Sequence, residues 1–399
     1  MKPSQIPIII SAFALCASSV YAQKGNPTPE RLALMLKKFP EADGDGDGIL
    51  TLDEAMAYRD EALRLRKSKN NGNGGGPTKS PYIDAGWEKD RFPEHAACYK
   101  TPEQLKALYP SFPTYEKPQD GALRIVGTGH SFMKPGYNTL PAIVKAAGYA
   151  DQPLHTHTSG GNTGSSRYKW EEENGIFQFE GRAPEPKLLS AIANGKWDVM
   201  MWGPYHHDRP EFYSCWMDFC EQYSPGMNFY LIDSWPTLHF FPQPPHSEAE
   251  MSSQVIRAID TTKDKLFAEK VAEFRKSYGE RFFIIPTSEA LTLAVEAYER
   301  GELPGVDGLH AAVGKKEKHP IWRDKTGHLG AGFEWLEGYV FYATLYKKSP
   351  ELIEARVGEV QGGFPSPELH DKFREIAWQA VLANPLSGVK DANGDGIGD

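Results

Sequence analysis

Cysteine is the first shortage, with four in a chain of 399 residues. So few thiols in so long a chain exclude a disulfide framework as the main source of order. Positive charge is the second. Lys and Arg number 44 against 53 Asp and Glu, a formal net charge of −9, which argues against nucleic acid or an anionic membrane surface as partner. Long apolar runs are the third. The run Ile6 to Ala17 is too short to cross a bilayer, and no later segment is long and apolar enough.

What is present at the start has the order of a secretory signal peptide: Lys2, the short apolar core, then small residues before a cut after Ala22. Cys16 does not read as a lipidation site, because bulky Leu15 stands where a small residue is needed. Losing residues 1–22 removes Lys2 and no acid, so the net charge goes from −9 to −10. The expectation is an exported protein, periplasmic or extracellular, without membrane insertion after cleavage. Cys98, Cys215 and Cys220 remain. Their number permits one bridge and assigns none, and a helical "CWMDFCEQY" would put Cys215 and Cys220 on different faces.

Composition then divides the chain. Residues 23–69 carry two amphipathic stretches around an acidic loop; 70–81, "NNGNGGGPTKSP", is a flexible linker; 82–120 is an extended, proline-rich lead-in. Residues 121–350 alternate short apolar runs (122–127, 153–158, 197–202, 228–233, 281–286) with helical patterns (139–147, 184–194, 264–278, 288–300, 333–347). That alternation predicts an α/β sandwich of three layers, a central parallel sheet of about five strands covered on both faces. The helix over 333–347 is apolar almost all round and is expected to be buried. A helical extension, 351–390, and an acidic tail, 391–399, complete the chain.

The acidic loop is "DGDGDGILTLDE". Asp43, Asp45 and Asp47 occupy positions 1, 3 and 5 of a calcium loop, Gly48 the sharp turn, Ile49 the carbonyl position, and Glu54 the bidentate position 12. Hard oxygen donors at this spacing suit Ca2+, and the flanking helical stretches make it an expected EF-hand appendage. A solvated acidic turn would not require Gly48, Leu50 and the register of Glu54 together. The tail "DANGDGIGD" repeats the first seven positions through Asp391, Asn393, Asp395 and Ile397, with Asp399 at position 9. It lacks a twelfth-position glutamate and an exiting helix, so it reads equally as half a calcium loop or as an acidic tail.

The centre of interest is "LRIVGTGHSF", where a strand-like run ends in glycines and Ser131 follows directly, ahead of a helical segment. A nucleophile is well served there, since the glycines permit a tight turn and close substrate approach and a helix start offers N–H groups to a developing oxyanion. The stretch resembles the first block of the SGNH (GDSL-like) hydrolases, with Gly129-His130-Ser131 where the family has Gly-Asp-Ser. "SGGNTGSS" (159–166), "WDVMMWGPYHH" (197–207) and "RDKTGHLGAGFEWLEGYVFYATLY" (323–346) follow in the order of the later blocks. The resemblance implies an SGNH/flavodoxin-like fold and a Ser131, His328, Asp324 arrangement. It also implies an oxyanion hole from Ser131 and Gly161. Gly203-Pro204-Tyr205 stands where the family has Gly-x-Asn, and Asn162, beside Gly161, is a candidate for the missing donor. The family separates its last Asp and His by two residues; Asp324 and His328 are separated by three. Asp307 and His310 have the family spacing and are the alternative pair.

Among the other clusters, His206 and His207, with Asp208, are candidates for substrate contact or an auxiliary metal site. His155 and His157 face one way on a strand and read as structural, and Trp170, Trp202, Trp235 and Trp335 as mostly core. Together these point to an exported, calcium-binding esterase acting on an acylated carbohydrate or small ester, with Ca2+ as the cofactor of the appendage and none for ester hydrolysis. The competing expectation is a catalytically silent SGNH-like fold serving as a calcium-dependent binding or assembly protein. A weaker third is a metal-dependent hydrolase built on His206, His207 and Asp208.

Overall fold

The computed structural model describes residues 29–38, 40–52, 54, 55, 58, 117–150, 153–158, 167, 168, 171, 188–203, 211–241, 243–314, 318–358 and 363–399. The signal-like segment, the 70–81 linker, most of the lead-in, Cys98, Gly161, Asn162, Trp170 and His206 to Asp208 lie outside them. The chain divides into two compact units, Met1–Ala85 and Gly86–Asp399. In the first, helix α1 (Pro29–Lys38) is followed by a short 3-10 turn, Pro40–Ala42, and then by the 43–54 loop.

The second unit is built on five strands: β1 (Ile125–Gly129), β2 (Leu154–Thr158), β3 (Val199–Trp202), β4 (Asn228–Ile232) and β5 (Phe282–Ile285). All pair in parallel, in the order β2-β1-β3-β4-β5. Between and after them run α2 (Lys134–Ala146), α3 (Leu188–Ala193), α4 (Glu211–Tyr223), α5 (Ser253–Tyr278) and α6 (Thr287–Glu299). A pair of short parallel strands, β6 (Gly308–His310) and β7 (Pro320–Trp322), precedes α7 (Phe333–Tyr346) and α8 (Pro367–Ala383). This is the three-layer α/β sandwich the alternation predicts.

The layers follow from strand period. Val199 and Met201 of β3, with Tyr230 and Ile232 of β4, face one core; Met200, Trp202, Phe229 and Leu231 face the other. Strands β3 and β4 are therefore apolar on both sides, as a doubly covered sheet requires, while the edge strand β2, LHTHT, is half-buried throughout. The first core receives α2, α6, α7 and α8, the second α3 and α4, and α5 contributes Ile256 to the first and Phe267, Val271 and Phe274 to the second. Helix α8 brings Leu369, Phe373, Ile376 and Val381 into the same core as the sheet. No helix among the described residues is long and apolar enough to cross a membrane.

Several bounds differ from the sequence pattern. Helix α2 starts five residues before 139, because Pro135 sits in its first turn, where a missing N–H costs nothing. Helix α5 extends eleven residues upstream of 264 through "SQVIRAIDTTK", a stretch with weak apolar periodicity in which two of the three buried side chains, Asp260 and Lys263, are charged. Helix α4 and the strands β6 and β7 carried no clear pattern, the strands being three residues each. Helix α7 is buried as expected, and it crosses α2 at very short range. A Cβ on Gly136 would sit 2.7 Å from Phe341, and one on Gly338 would fall on Thr139 and 2.8 Å from Ile143.

Candidate active site

Strand order 2-1-3-4-5 puts a switch point at the carboxyl end of β1, where the chain leaves for β2 on one side and returns to β3 on the other. Open α/β sheets collect their ligands at such a crevice. Ser131 lies there, two residues past Gly129 and at the threshold of α2. The glycines of the opening motif have a different use from the one their pattern invites. Neither Gly127 nor Gly129 is in the left-handed region. A Cβ on Gly127 would lie 2.8 Å from Tyr137 Oη, and one on Gly129 2.9 Å from Met133 Sδ. They make room for α2 to fold back over β1, and so aim Ser131 at the sheet edge.

Ser131 Oγ is 2.8 Å from His328 Nε2, and His328 Nδ1 is 2.9 Å from Asp324 Oδ2. The nucleophile, base and orienting acid expected from the resemblance thus form one hydrogen-bonded chain. Ser131 is half-buried and the His328 side chain is 24% exposed, so the pair is within reach of a solute. Ser131's own N–H meets no backbone acceptor among the described residues, and it stands just before the N-terminal turn of α2.

The three-residue separation of Asp324 and His328 is absorbed by a turn. Trp322 bridges Leu329 in antiparallel fashion, and Arg323 N–H donates to His328 O at 2.9 Å. The chain reverses between them with Gly327 at φ +91°, a conformation that favours glycine. Asp324 Oδ1 accepts from the N–H groups of Thr326 (3.0 Å), Gly327 (3.1 Å) and His328 (3.3 Å). Burial opposes its ionisation, but the His328 side chain and these N–H groups outweigh that and hold the carboxyl below its ordinary pKa. It is therefore an anion at neutral pH.

The alternative pair does not form. Asp307 accepts from the N–H groups of Lys318 (2.9 Å) and His319 (2.8 Å), while His310 is 2% exposed and uses Nδ1 to accept from Ala312 N–H at 3.1 Å. Burial lowers the His310 pKa. Of the remaining sequence candidates, His157 is a structural partner of buried Glu171, Nδ1 to Oε1 2.7 Å. Cys220 is a buried thiol and no bridge joins it to Cys215. Two aromatic residues at the site were legible only as core. Phe132 sets its ring edge against His328 (centroids 5.3 Å) and stacks on Trp235 (4.8 Å, 8° between planes).

No protein-family model matches the chain, and no curated protein matches it. Among solved structures the chain is similar to a DUF4886 family protein from Bacteroides uniformis, at 12% identity and a TM-score of 0.44, over 65% of this chain and 95% of that one. A likeness at that level carries no argument about function.

The calcium-type loops can be compared by their internal bonds. In the first, Asp43 Oδ1 accepts from Gly46 N–H (2.8 Å), Asp43 Oδ2 from Gly48 N–H (2.9 Å), Asp45 Oδ1 from Asp47 N–H (3.1 Å) and Asp47 Oδ1 from Ile49 N–H (2.7 Å). Carboxylate oxygens of Asp43, Asp45 and Asp47 come within 4.8 Å of one another. Glu54 closes the loop, Oε1 accepting from Gly44 N–H (3.0 Å) and Oε2 from Thr51 N–H (2.9 Å). Thr51's hydroxyl and these N–H groups hold the Glu54 carboxyl below its ordinary pKa.

The tail repeats the pattern position by position. Asp391 accepts from Gly394 N–H (2.8 Å) and Gly396 N–H (3.0 Å), Asn393 Oδ1 from Asp395 N–H (3.1 Å), and Asp395 Oδ1 from Ile397 N–H (2.8 Å). It is tied down beyond α7: Ile397 bridges Lys348, Ser349 N–H donates to Gly396 O, and Gly398 N–H to Lys347 O, both 2.7 Å. Of the two readings the sequence left open for it, the tail is an ordered loop; Asp399 supplies N–H to Lys390 O at 2.7 Å.

Proposed function

We propose that this protein is an exported serine ester hydrolase of the SGNH kind, removing acyl groups from a carbohydrate or related polymer. The observation that carries the reading is the 2.8 Å contact of Ser131 Oγ with His328 Nε2, continued by Asp324. Asp324 accepts a hydrogen bond from Nδ1–H, which leaves the Nε2 lone pair facing Ser131. Nε2 takes the hydroxyl proton as Oγ attacks the ester carbonyl, and returns it to the leaving alkoxide when the carbon–oxygen bond breaks. Water then attacks the acyl-serine by the same route in reverse. The N–H of Ser131 serves the oxyanion, with Gly161 as the partner donor the resemblance implies and Asn162, its neighbour in sequence, as a further donor. His206 and His207 are assigned to substrate contact from their place in the sequence just past the third strand. Export rests on the signal-like residues 1–22, and the acidic surface fits an extracellular polymer other than nucleic acid.

Calcium belongs to the same reading. Asp43, Asp45, Asp47, the carbonyl of Ile49 and Glu54 would hold Ca2+ in the first loop; Asp391, Asn393, Asp395, Ile397 and Asp399 form the corresponding half-set. The fit rests on hard oxygen donors already gathered by the loop's own N–H groups. When bound, the ion supplies cross-linking of the loop, and no step of ester hydrolysis passes through it.

A serine-directed fluorophosphonate tests the enzyme. Wild type should be labelled once and Ser131→Ala not at all, with hydrolysis of a chromogenic acetate ester lost in parallel. Absence of labelling in folded wild type would leave the calcium-dependent binding protein as the surviving reading.

A further inference from the structure

One indole joins the two segments that bring nucleophile and base together. Trp235 is 2% exposed and lies three residues past the end of β4. Its ring stacks on Phe132, the neighbour of Ser131, at 4.8 Å and 8°. Its Nε1–H donates to the carbonyl of Gly327, the neighbour of His328, at 2.7 Å. Phe132 in turn meets the His328 ring edge-on. The β1–α2 turn and the 324–328 turn are thus fastened to one rigid side chain, although 92 residues separate Trp235 from Gly327.

Trp235 is itself held from behind. Ser234 has φ +45°, a left-handed conformation that a non-glycine residue rarely adopts and that persists only where the surroundings over-determine it. Those surroundings are a buried polar cluster on α5 and α6. Lys263 Nζ donates to Ser234 O and, at 3.1 Å, to Ser288 Oγ, and it lies 3.7 Å from Asp260 Oδ1. Asp260 accepts from the hydroxyls of Ser288 (2.6 Å) and Thr292. Asp233 Oδ1 accepts from Thr287 Oγ1 and Ser288 N–H, both 2.9 Å. The turn that presents Trp235 is therefore pinned on either side of the strained residue.

We infer that Trp235 is a positioning residue for the Ser131–His328 pair, setting the separation of Oγ and Nε2 through its stack on Phe132 and its hydrogen bond to Gly327; the inference rests on the serine-hydrolase reading. It touches neither substrate nor the reacting atoms. Its loss should therefore appear in kcat and leave KM in place, since substrate binding does not pass through it.

The test replaces the indole by its sulfur isostere, benzothienylalanine, at position 235 through nonsense suppression. This keeps the ring and the stack and removes only the donor. Expected is a fall in kcat of about 10-fold on a small activated ester, less than the roughly 100-fold that a misplacement of about 1 Å costs. KM should be unchanged and the fluorophosphonate labelling rate of Ser131 should fall in parallel. Trp235→Phe, with a smaller ring and no donor, should fall further. An isostere with wild-type kcat and labelling rate overturns the inference. So does a variant that loses labelled sites while each remaining site reacts at the wild-type rate, because that is a folding effect alone. Failure of wild type itself to label overturns the hydrolase reading and this inference with it, and is told apart by the wild-type control.

Discussion

Asp324→Asn separates orientation of the base from stability of the fold. Asp324 Oδ1 serves three backbone N–H groups at 3.0, 3.1 and 3.3 Å, while Oδ2 faces His328 Nδ1 at 2.9 Å. An asparagine must keep its carbonyl oxygen on the three N–H donors, so its NH2 takes the place of Oδ2. A donor facing Nδ1 selects the tautomer protonated on Nε2, the atom 2.8 Å from Ser131 Oγ, and Nε2 can then no longer accept. The wrong tautomer in such a triad costs about 10⁴-fold in kcat, equivalent to roughly 5.4 kcal/mol of transition-state stabilisation. Stability should barely respond. The Asp324 side chain is 41% exposed, and a solvated ion pair of this kind contributes under about 1 kcal/mol. The assay is steady-state hydrolysis of a chromogenic acetate ester beside a thermal melt followed by circular dichroism. Activity within tenfold of wild type would refute the tautomer argument; a collapse of the melt would refute the claim that Asp324 serves the base more than the fold.

Glu54→Gln should weaken Ca2+ binding by calorimetry far more than Asp399→Asn, since position 12 contributes two oxygens at once. Chelation should leave turnover of a small ester largely unchanged, and loss of that activity would show that calcium acts on the Ser131 site. His370 is buried, and that burial and the charge of Arg374 lower its pKa to about 4 from 6.5. Between those values the unfolded chain binds a proton that the folded chain refuses, so this group makes stability fall as pH drops from 6.5 toward 4. Asp233, pushed up to about 8 by burial, slopes the other way and favours the lower pH. The comparison that isolates His370 is therefore the urea midpoint of His370→Phe against wild type across pH 4–7, where a slope unchanged by the substitution would sink the assignment. Gly338→Ala should destabilise by about 1–3 kcal/mol, because its Cβ would fall on Thr139 and crowd Ile143 across the α2–α7 crossing; a loss below about 0.5 kcal/mol would mean the helices part without cost.

The sequence by itself determined what depends on neighbours along the chain. Alternating apolar runs and helical periods determined a doubly covered parallel sheet, because burial on both faces puts apolar residues on both sides of the central strands β3 and β4. The calcium-type loops were legible for the same reason. Their aspartate carboxylates bond N–H groups two to five residues away, so spacing carries that part of the geometry. Ser131 was visible as a serine between strand and helix. Tertiary structure decided the rest. It chose Asp324 over Asp307 through a reversal at Gly327 that lets an irregular spacing still close on Nδ1, and it gave Gly127 and Gly129 a packing role against Tyr137 and Met133. It also brought Trp235 between Phe132 and Gly327, a contact for which no local pattern exists. Ser131 and His328 are 197 residues apart in the chain, and Trp235 and Gly327 are 92 apart. Such separations leave no periodic trace in sequence, because the free energy that fixes them is gained only when the sheet and its two helical layers have already closed.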